Sequence, residues 1–302
     1  MRYAMPLRYI DAVAKAGSIR KAAETLAITS TALNRRILAM EEELGVPIFE
    51  RFARGVRLTA AGEILVHHAR TQFADLERVK SQIADLAGVR RGHTAIACSQ
   101  ALLPFFLPEQ IATYRSEHPA VTFEVLVRDR AAAEQALVDI SADLALVFEP
   151  VRMSEFQILL TIRQPVHAIM GPDHPLANNE TIRLRDCLRF PVAMPTAPYG
   201  VRHLMELAVR RTSLDLNPVV ESDSFDFLRH YAAAENILSF QLPIGLPAQD
   251  GDEGVVTRPL DPRDVPHGYL YFGQLRDRTL PVAAARFAIQ MQETFINRFE
   301  CE

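Results

Sequence analysis

The chain has 302 residues and lacks any apolar run near the roughly 18 residues that a membrane-spanning helix requires. Met1 to Tyr9 lacks the basic-then-apolar order of a secretory leader. Those two absences predict a cytoplasmic protein with no membrane partner. Cysteine is scarce: Cys98, Cys187 and Cys301 lie far apart, which excludes a disulfide framework and a CxxC zinc or redox site. Three reduced thiols are the plain reading, and a redox-sensing pair that uses Cys98 or Cys187 is the sharper alternative. Catalytic signatures are missing too. GxSxG, HExxH, the P-loop and GxGxxG do not occur, and the nine histidines are scattered without metal-ligand spacing. His67 and His68, adjacent on a helix, point apart. No enzyme activity, cofactor or metal is expected. Internal repeats and low-complexity tracts are also absent, so at about 100 to 200 residues per domain the length predicts two or three compact units.

The formal charge of -4 gives no hint of nucleic acid, but its distribution does. Residues 1–60 hold ten Arg or Lys and six Asp or Glu, whereas the remainder holds 23 basic and 31 acidic residues. A basic head on an acidic body fits a phosphate-binding module joined to a domain that does not touch DNA. In the head, Leu7, Ile10, Val13 and Ala14 recur at helical spacing, and Gly17 stops that helix. Ser18 caps a second helix over Ile19 to Leu26, with Ala22, Ala23 and Leu26 inward. After a three-residue connection, Thr29 or Ser30 caps a third helix that runs to about Leu44. So short a turn makes a helix-turn-helix, at about 18–37. Leu33, Ile37, Met40 and Leu44 form one stripe expected to be buried, leaving Ser30, Thr31, Asn34, Arg35 and Leu38 outward. Hydroxyls, an amide and a guanidinium at the start of a helix suit a major-groove reader, since Asn and Arg bond base edges bidentately. An ordinary solvated face is the bland alternative.

Phe49 to Thr59 reads as a hairpin carrying Arg51, Arg54 and Arg57, a wing suited to phosphates or the adjacent minor groove. Thr59 caps a long helix to about Leu86. Its Leu65, Ala69, Leu76, Val79, Ile83 and Leu86 follow four-three steps interrupted only at Gln72. Such a seam would pair two chains and set the distance between half-sites; the other reading is an amphipathic helix packed on its own domain. Gly88 to Gly92 reads as a hinge. Beyond it come a strand at His93 to Cys98, a helix at Leu102 to Glu117, a strand at Val121 to Val127, a helix at Ala131 to Asp139 and a strand at Asp143 to Phe148. This alternation predicts an α/β domain with mostly parallel sheets.

At residues 7–66 the chain resembles the LysR-type family of bacterial transcriptional regulators. The shared residues are Gly17-Ser18, Ala22-Ala23, Leu26, Arg35, Glu41 to Gly45, Phe49, Arg51, Arg54, and Leu58-Thr59 with Ala61-Gly62. A looser match follows through Pro104 with Leu107-Pro108, His118-Pro119, Asp143-Leu144-Ala145 and Asp173-His174-Pro175-Leu176-Ala177. The resemblance implies a winged helix-turn-helix DNA-binding domain at 1–60, a linker and dimerisation helix with hinge at 61–91, and an effector-binding domain at 92–302. That last domain would be a two-lobed α/β body similar to periplasmic solute-binding proteins, with lobe one at 92–163 and 268–302 and lobe two at 164–267. The implied function is sequence-specific binding of double-stranded promoter DNA, modulated by a small-molecule effector such as an organic anion. Self-association as a dimer or tetramer is implied as well, with RNA polymerase as a further partner.

The effector would sit between the lobes, where strand ends meet helix N-termini. Ser99 and Gln100 match the family's usual effector position, Thr196 offers a second anchor, and Phe148, Phe225 and Gln241 are candidates for the walls; ordinary cap or core roles are the alternative for each. The sequence departs from the family in two places. Asn34 stands where many members have Ser, which would alter base preference while still supplying a hydrogen-bonding side chain, and Asn236 to Pro243 replaces a stretch often rich in glycine, which leaves open an effector that differs from the usual or is absent. A constitutive architectural DNA-binding protein without an effector is the first competing function, and a cytoplasmic solute-binding protein the second.

Overall fold

A computed structural model describes residues 4–86, 91–151, 154–246 and 254–299. The expected hinge falls mostly outside these residues, and Cys301 lies wholly outside them. The chain divides into two compact units, Met1–Lys80 and Ser81–Glu302. Among the described residues no helix is long and apolar enough to cross a membrane.

The first unit is built from α1 (Ala4–Ala16), α2 (Ile19–Thr25), α3 (Ser30–Leu44), the strands β1 (Phe49–Phe52) and β2 (Gly55–Leu58), and the long α4 (Ala60–Leu86). Local chemistry sets each boundary. The Ser18 side chain accepts from the Lys21 amide, and Thr29 Oγ1 accepts from the Ala32 amide at 3.2 Å, which satisfies donors that a helix start leaves open. Of the two candidate caps for α3, the one that acts is therefore Thr29. Gly45 ends α3 in the left-handed region, at φ 69°, where a side chain would be strained. Ile10, Val13, Ala22, Ala23, Leu33, Ile37, Met40, Ile48, Phe49 and Val66 form the core. Leu44, expected on the buried stripe, is 48% exposed. Glu41 Oε1 accepts the amides of Ile48 and Phe49 at 2.8 and 3.1 Å. The returning chain thus crosses α3 at the level of Glu41, leaving the last turn uncovered.

The wing pairs Phe49 with Leu58, Glu50 with Arg57, Arg51 with Val56 and Phe52 with Gly55. The Val56 amide donates to the Gly17 carbonyl at 2.9 Å, tying the wing to the α1–α2 turn. Thr59 Oγ1 caps α4 by accepting from Gly62 at 3.0 Å. The apolar seam of α4 has two fates. Val66, which the seam does not include, and Ala69 are buried and Leu65 is half-buried, whereas Val79 is 41% and Ile83 62% exposed. The side chain of Leu86 lies outside the described residues.

The second unit opens with β3 (Gly92–Cys98), a 3-10 turn at Gln100–Leu102, α5 (Phe106–Glu117), β4 (Val121–Val127), α6 (Arg130–Val138), β5 (Leu144–Phe148) and β6 (Phe156–Gln164). Next come β7 (His167–Met170), α7 (Leu184–Cys187), β8 (Ala193–Pro195), α8 (Gly200–Arg210), β9 (Val220–Ser222), α9 (Phe225–Ala234) and β10 (Ser239–Gln241). A 3-10 turn at Pro243–Gly245, β11 (Val256–Pro259), β12 (Gly268–Leu275) and α10 (Val282–Arg298) complete it. The expected helix from Leu102 is broken. Pro104 has no amide to donate to the preceding turn, so a 3-10 turn ends just before it and α5 starts at Phe106.

Five strands form one sheet in the order β4-β3-β5-β12-β6, and three form another, β10-β7-β11. β3 runs parallel to β4 and β5, and β8 to β9. The expectation of mostly parallel sheets needs correction, because β12 is antiparallel to both β5 and β6, and the β10-β7-β11 sheet is antiparallel throughout. The cause is topological: β6 leaves the first sheet and β12 returns to it, so the pair runs in opposite directions from Gly268 opposite Gln164 to Leu275 opposite Phe156.

Cys98 and Cys187 are fully buried, and burial pushes both thiols up to about 12. A thiol so buried and so raised is poorly placed to act as a reactive thiolate. The Asp173–Ala177 motif is a structural turn: His174 Nδ1 accepts from the Leu176 amide at 3.2 Å, and its buried ring lies 4.6 Å from Phe190. Burial lowers the His174 pKa below its ordinary 6.5. The unfolded chain then binds the proton more readily than the folded one, so stability falls as pH drops below about 6.5. Thermal melts between pH 8 and 5 are expected to show this slope in the wild type and a shallower one in His174→Gln.

Candidate nucleic-acid interface and inter-lobe cleft

On α3, burial of Leu33, Ile37 and Met40 leaves Ser30, Thr31 and Arg35 exposed on the opposite side. Asn34 is half-buried; its Oδ1 is out of contact with solvent and has no hydrogen-bond partner among the described residues. Arg36 turns back onto α1, with its guanidinium 4.7 Å over the Tyr9 ring and bonded to the Tyr9 hydroxyl, so it braces the helix. Charge changes sign along α3: Arg35 is exposed in the first half, Glu42 and Glu43 in the last turns. Phosphates are attracted at one end and repelled at the other, which orients the helix N-terminus first toward a polyanion.

Arg51, Arg54 and Arg57 are all exposed, but they point from different parts of the wing. The strand register puts Arg57 on one face with Glu50 and Phe52, and Arg51 on the other with Phe49 and Val56, while Arg54 is at the turn. Phe52, which the sequence pattern does not single out, is 52% exposed and lies under the Arg57 guanidinium at 5.5 Å.

In the second unit a cleft is lined by Ser99, Arg128, Arg130, Phe148, Tyr199 and Gly200, with Asp129 beside them. These residues lie at the C-terminal ends of β3, β4 and β5 and at the start of α8, the crevice where open α/β sheets take their ligands. Its room is about 10 Å³, the scale of one water molecule. Gln100, next to Ser99 in the chain, bonds across to the other lobe. Its Oε1 accepts from the Phe225 amide at 3.1 Å and its Nε2 donates to the Tyr199 hydroxyl at 3.1 Å and to the Asp223 carbonyl, so one side chain ties the strand-end of β3 to α8 and α9.

The remaining candidates are engaged within the fold. Ser99 Oγ accepts from Ala101 at 3.4 Å, and the Thr196 amide donates to the Ser222 carbonyl at 3.1 Å. Phe148 is buried against Gly200 and Gly268, where a Cβ on either glycine would overlap its ring. Phe225 is buried with its ring 4.9 Å from Tyr199, and Gln241 Nε2 donates to the Gly245 carbonyl at 2.9 Å. The structure thus brings Ser99 and Phe148 to the cleft, bonds Gln100 to Tyr199 of its lining, and places Thr196, Phe225 and Gln241 in neighbouring packing.

Arg128, Arg130 and Tyr199 are absent from the sequence-based candidates. The missed signal is positional, because Arg128 and Arg130 follow the end of β4 as Ser99 follows the end of β3. Their guanidinia are held by backbone carbonyls, Arg128 by Val127 at 2.8 Å and Arg130 by Glu149 at 2.9 Å, which leaves their charge in place. Asp129 caps α6 through the Ala132 amide at 2.9 Å, whereas α8 starts at Tyr199 and Gly200 without a side-chain cap. Burial raises the Tyr199 pKa, so its hydroxyl stays protonated.

The fold and these two surfaces define a regulator of the helix-turn-helix class with a receptor-like body. Comparisons with known proteins agree. The model for the bacterial regulatory helix-turn-helix protein, lysR family, matches residues 6–63, and that for the LysR substrate binding domain matches residues 87–296. A RuBisCO operon transcriptional regulator from Allochromatium vinosum is 31% identical over 200 residues, 66% of each chain. The HTH-type transcriptional activator CmpR from Synechocystis is 24% identical, covering 72% of this chain and 71% of its own. Among solved structures, a full-length OxyR variant from Pseudomonas aeruginosa superposes with a TM-score of 0.69 at 19% identity, covering 97% of this chain and 93% of that one. CbnR complexed with its target DNA gives 0.55 at 17% identity, with 97% and 99% covered. The chain belongs to the LysR family of bacterial transcriptional regulators.

Removing the Gln100 tie is expected to loosen the cleft. Gln100→Ala loses three hydrogen bonds of about 0.5–1.5 kcal/mol each; the expected readout is a lower melting temperature with faster hydrogen exchange at the Phe225 amide.

Proposed function

We propose that this regulator lays the first half of α3 in the major groove of promoter DNA and responds to a small organic anion between its lobes. Ser30, Thr31 and Arg35 read base edges, whereas Asn34, expected outward, has its Oδ1 turned away from solvent and is not part of that face, and Arg51, Arg54 and Arg57 of the wing hold phosphates or the minor groove. The observation that carries this is the outward face of α3, where hydroxyls and a guanidinium stand opposite the buried Leu33-Ile37-Met40 stripe at the cationic end of the helix. Chains pair along α4, whose Val79 and Ile83 remain exposed in a single copy, and the pairs assemble further into tetramers. Location is cytoplasmic, contact with RNA polymerase accompanies activation or repression, and no reaction is catalysed. A solved DNA complex of CbnR supports the first surface, and the effector binding domain of QuiR in complex with shikimate supports the second.

The anion sits among Ser99, Arg128, Arg130, Tyr199 and the open amides of α8, and binding requires the lobes to part because the cleft has room for about 10 Å³. That closure favours a second reading, a constitutive regulator that takes no ligand.

Two measurements test these statements. Arg35→Ala is expected to weaken binding to the selected operator by about 1–3 kcal/mol and to relax its base preference. Arg54→Ala is expected to weaken all duplexes alike and to reduce the salt slope by about one. Unchanged affinity in both would displace the DNA surface. In thermal shift with succinate, citrate and glycerol 3-phosphate, at least one acid is expected to raise the melting temperature of the wild type by about 2–4 °C, and not that of Arg130→Gln. No shift with any acid supports the constitutive reading.

A further inference from the structure

The long helix α4 is fastened to the head by a charge pair largely removed from water. Asp11 on α1 is only 8% exposed; its Oδ1 accepts from Arg70 Nε at 2.8 Å and its Oδ2 from Lys15 Nζ at 2.8 Å. The Arg70 side chain is nearly as sheltered. One turn farther along α4, the Arg8 guanidinium lies 5.8 Å over the Phe73 ring. Before the pair, Val66 and Ala69 are buried in the head. Contacts over successive turns fix the placement of α4 and also its rotation about its own axis. Four-three steps from buried Ala69 lead to half-buried Leu76 and to exposed Val79 and Ile83. The direction in which that exposed seam faces is therefore set where Asp11 holds Arg70.

Stability alone does not explain a charge pair at this place. Taking two ions out of water costs about as much as their attraction returns, and an apolar pair of similar volume often holds a structure as well or better. A hydrogen-bonded carboxylate and guanidinium have direction, however, and a Leu–Met contact does not. Geometry matters here because the seam pairs two copies. Any error in the angle between head and seam occurs twice across the two-fold axis, while half-sites on DNA recur about every 34 Å.

We propose that Asp11 and Arg70 are positioning residues that set the angle between the DNA-binding head and the pairing seam of α4, and thereby the half-site spacing that the paired heads accept. This rests on the reading that two chains pair along α4 and bind duplex DNA.

The test uses the full chain, a duplex selected by the wild type from a random pool, copies of it with one to three base pairs inserted between the halves, and a duplex with a single half. The wild type is expected to lose roughly tenfold or more in affinity on insertion. Asp11→Leu with Arg70→Met is expected to bind the single half within about twofold of wild type while its spacing discrimination falls below about threefold. Should the apolar variant fail to fold, Arg70→Lys keeps the charge and loses the planar fork, and the same loss of discrimination is expected. Full discrimination in the variants overturns the proposal, as does a loss of affinity for the single half that accounts for the whole effect. A wild type that binds no duplex, or stays monomeric, instead defeats the reading on which the proposal rests.

Discussion

Burial of Leu33, Ile37 and Met40 against α1 and α2 is the constraint from which the head takes its form. Those side chains leave water only if α3 presents one particular face inward, so its other face, with Ser30, Thr31 and Arg35, is set at the same moment. Polar groups then reinforce a geometry that apolar burial has chosen. Glu41 gathers the amides of Ile48 and Phe49, Arg36 braces α3 on Tyr9, and the Gly17 carbonyl holds the wing at Val56. The basic surface is a by-product of a core that can pack in one way.

The second unit meets a different constraint, that of joining two lobes. β6 and β12 cross side by side in opposite directions, and the lobes meet at the strand ends they connect. At that meeting point apolar packing, Phe148 against Gly200 and Ala101 with Phe225, stands beside polar contacts. Gln100 donates and accepts with partners from α8 and α9, and Arg128 and Arg130 bond carbonyls where carboxylates would have neutralised them. Hydrogen bonds of this kind exchange for bonds to water or to a ligand at little net cost, whereas parting the apolar contacts beside them exposes surface.

Much of this was legible in the chain. The caps at Ser18, Thr29 and Thr59, the stop at Gly45, the wing strands and the alternation that begins at β3 are local features, each governed by residues within a few positions of one another. Expectations failed where distant segments decide. Leu44 has the right period for burial yet is exposed because the chain returns at Glu41. The antiparallel partners of β12 lie more than a hundred residues away, and no pattern within β12 reveals their direction. The bonds of Gln100 to groups near residues 199 and 223–225 are likewise invisible in the sequence, because they exist only once the lobes are folded together.

What the sequence by itself determined is therefore the set of elements, the basic head on an acidic body and the family resemblance, since period, capping chemistry and charge distribution are properties of neighbouring residues. Tertiary structure alone decided which arginines brace and which face outward, how tightly the cleft is shut, and where α4 is held. Those depend on contacts such as Arg36 with Tyr9, Arg70 with Asp11 and Gln100 with Phe225. Their partners are brought together by burial of apolar surface elsewhere, a force that has no direction of its own and leaves the choice of polar partners to the completed packing.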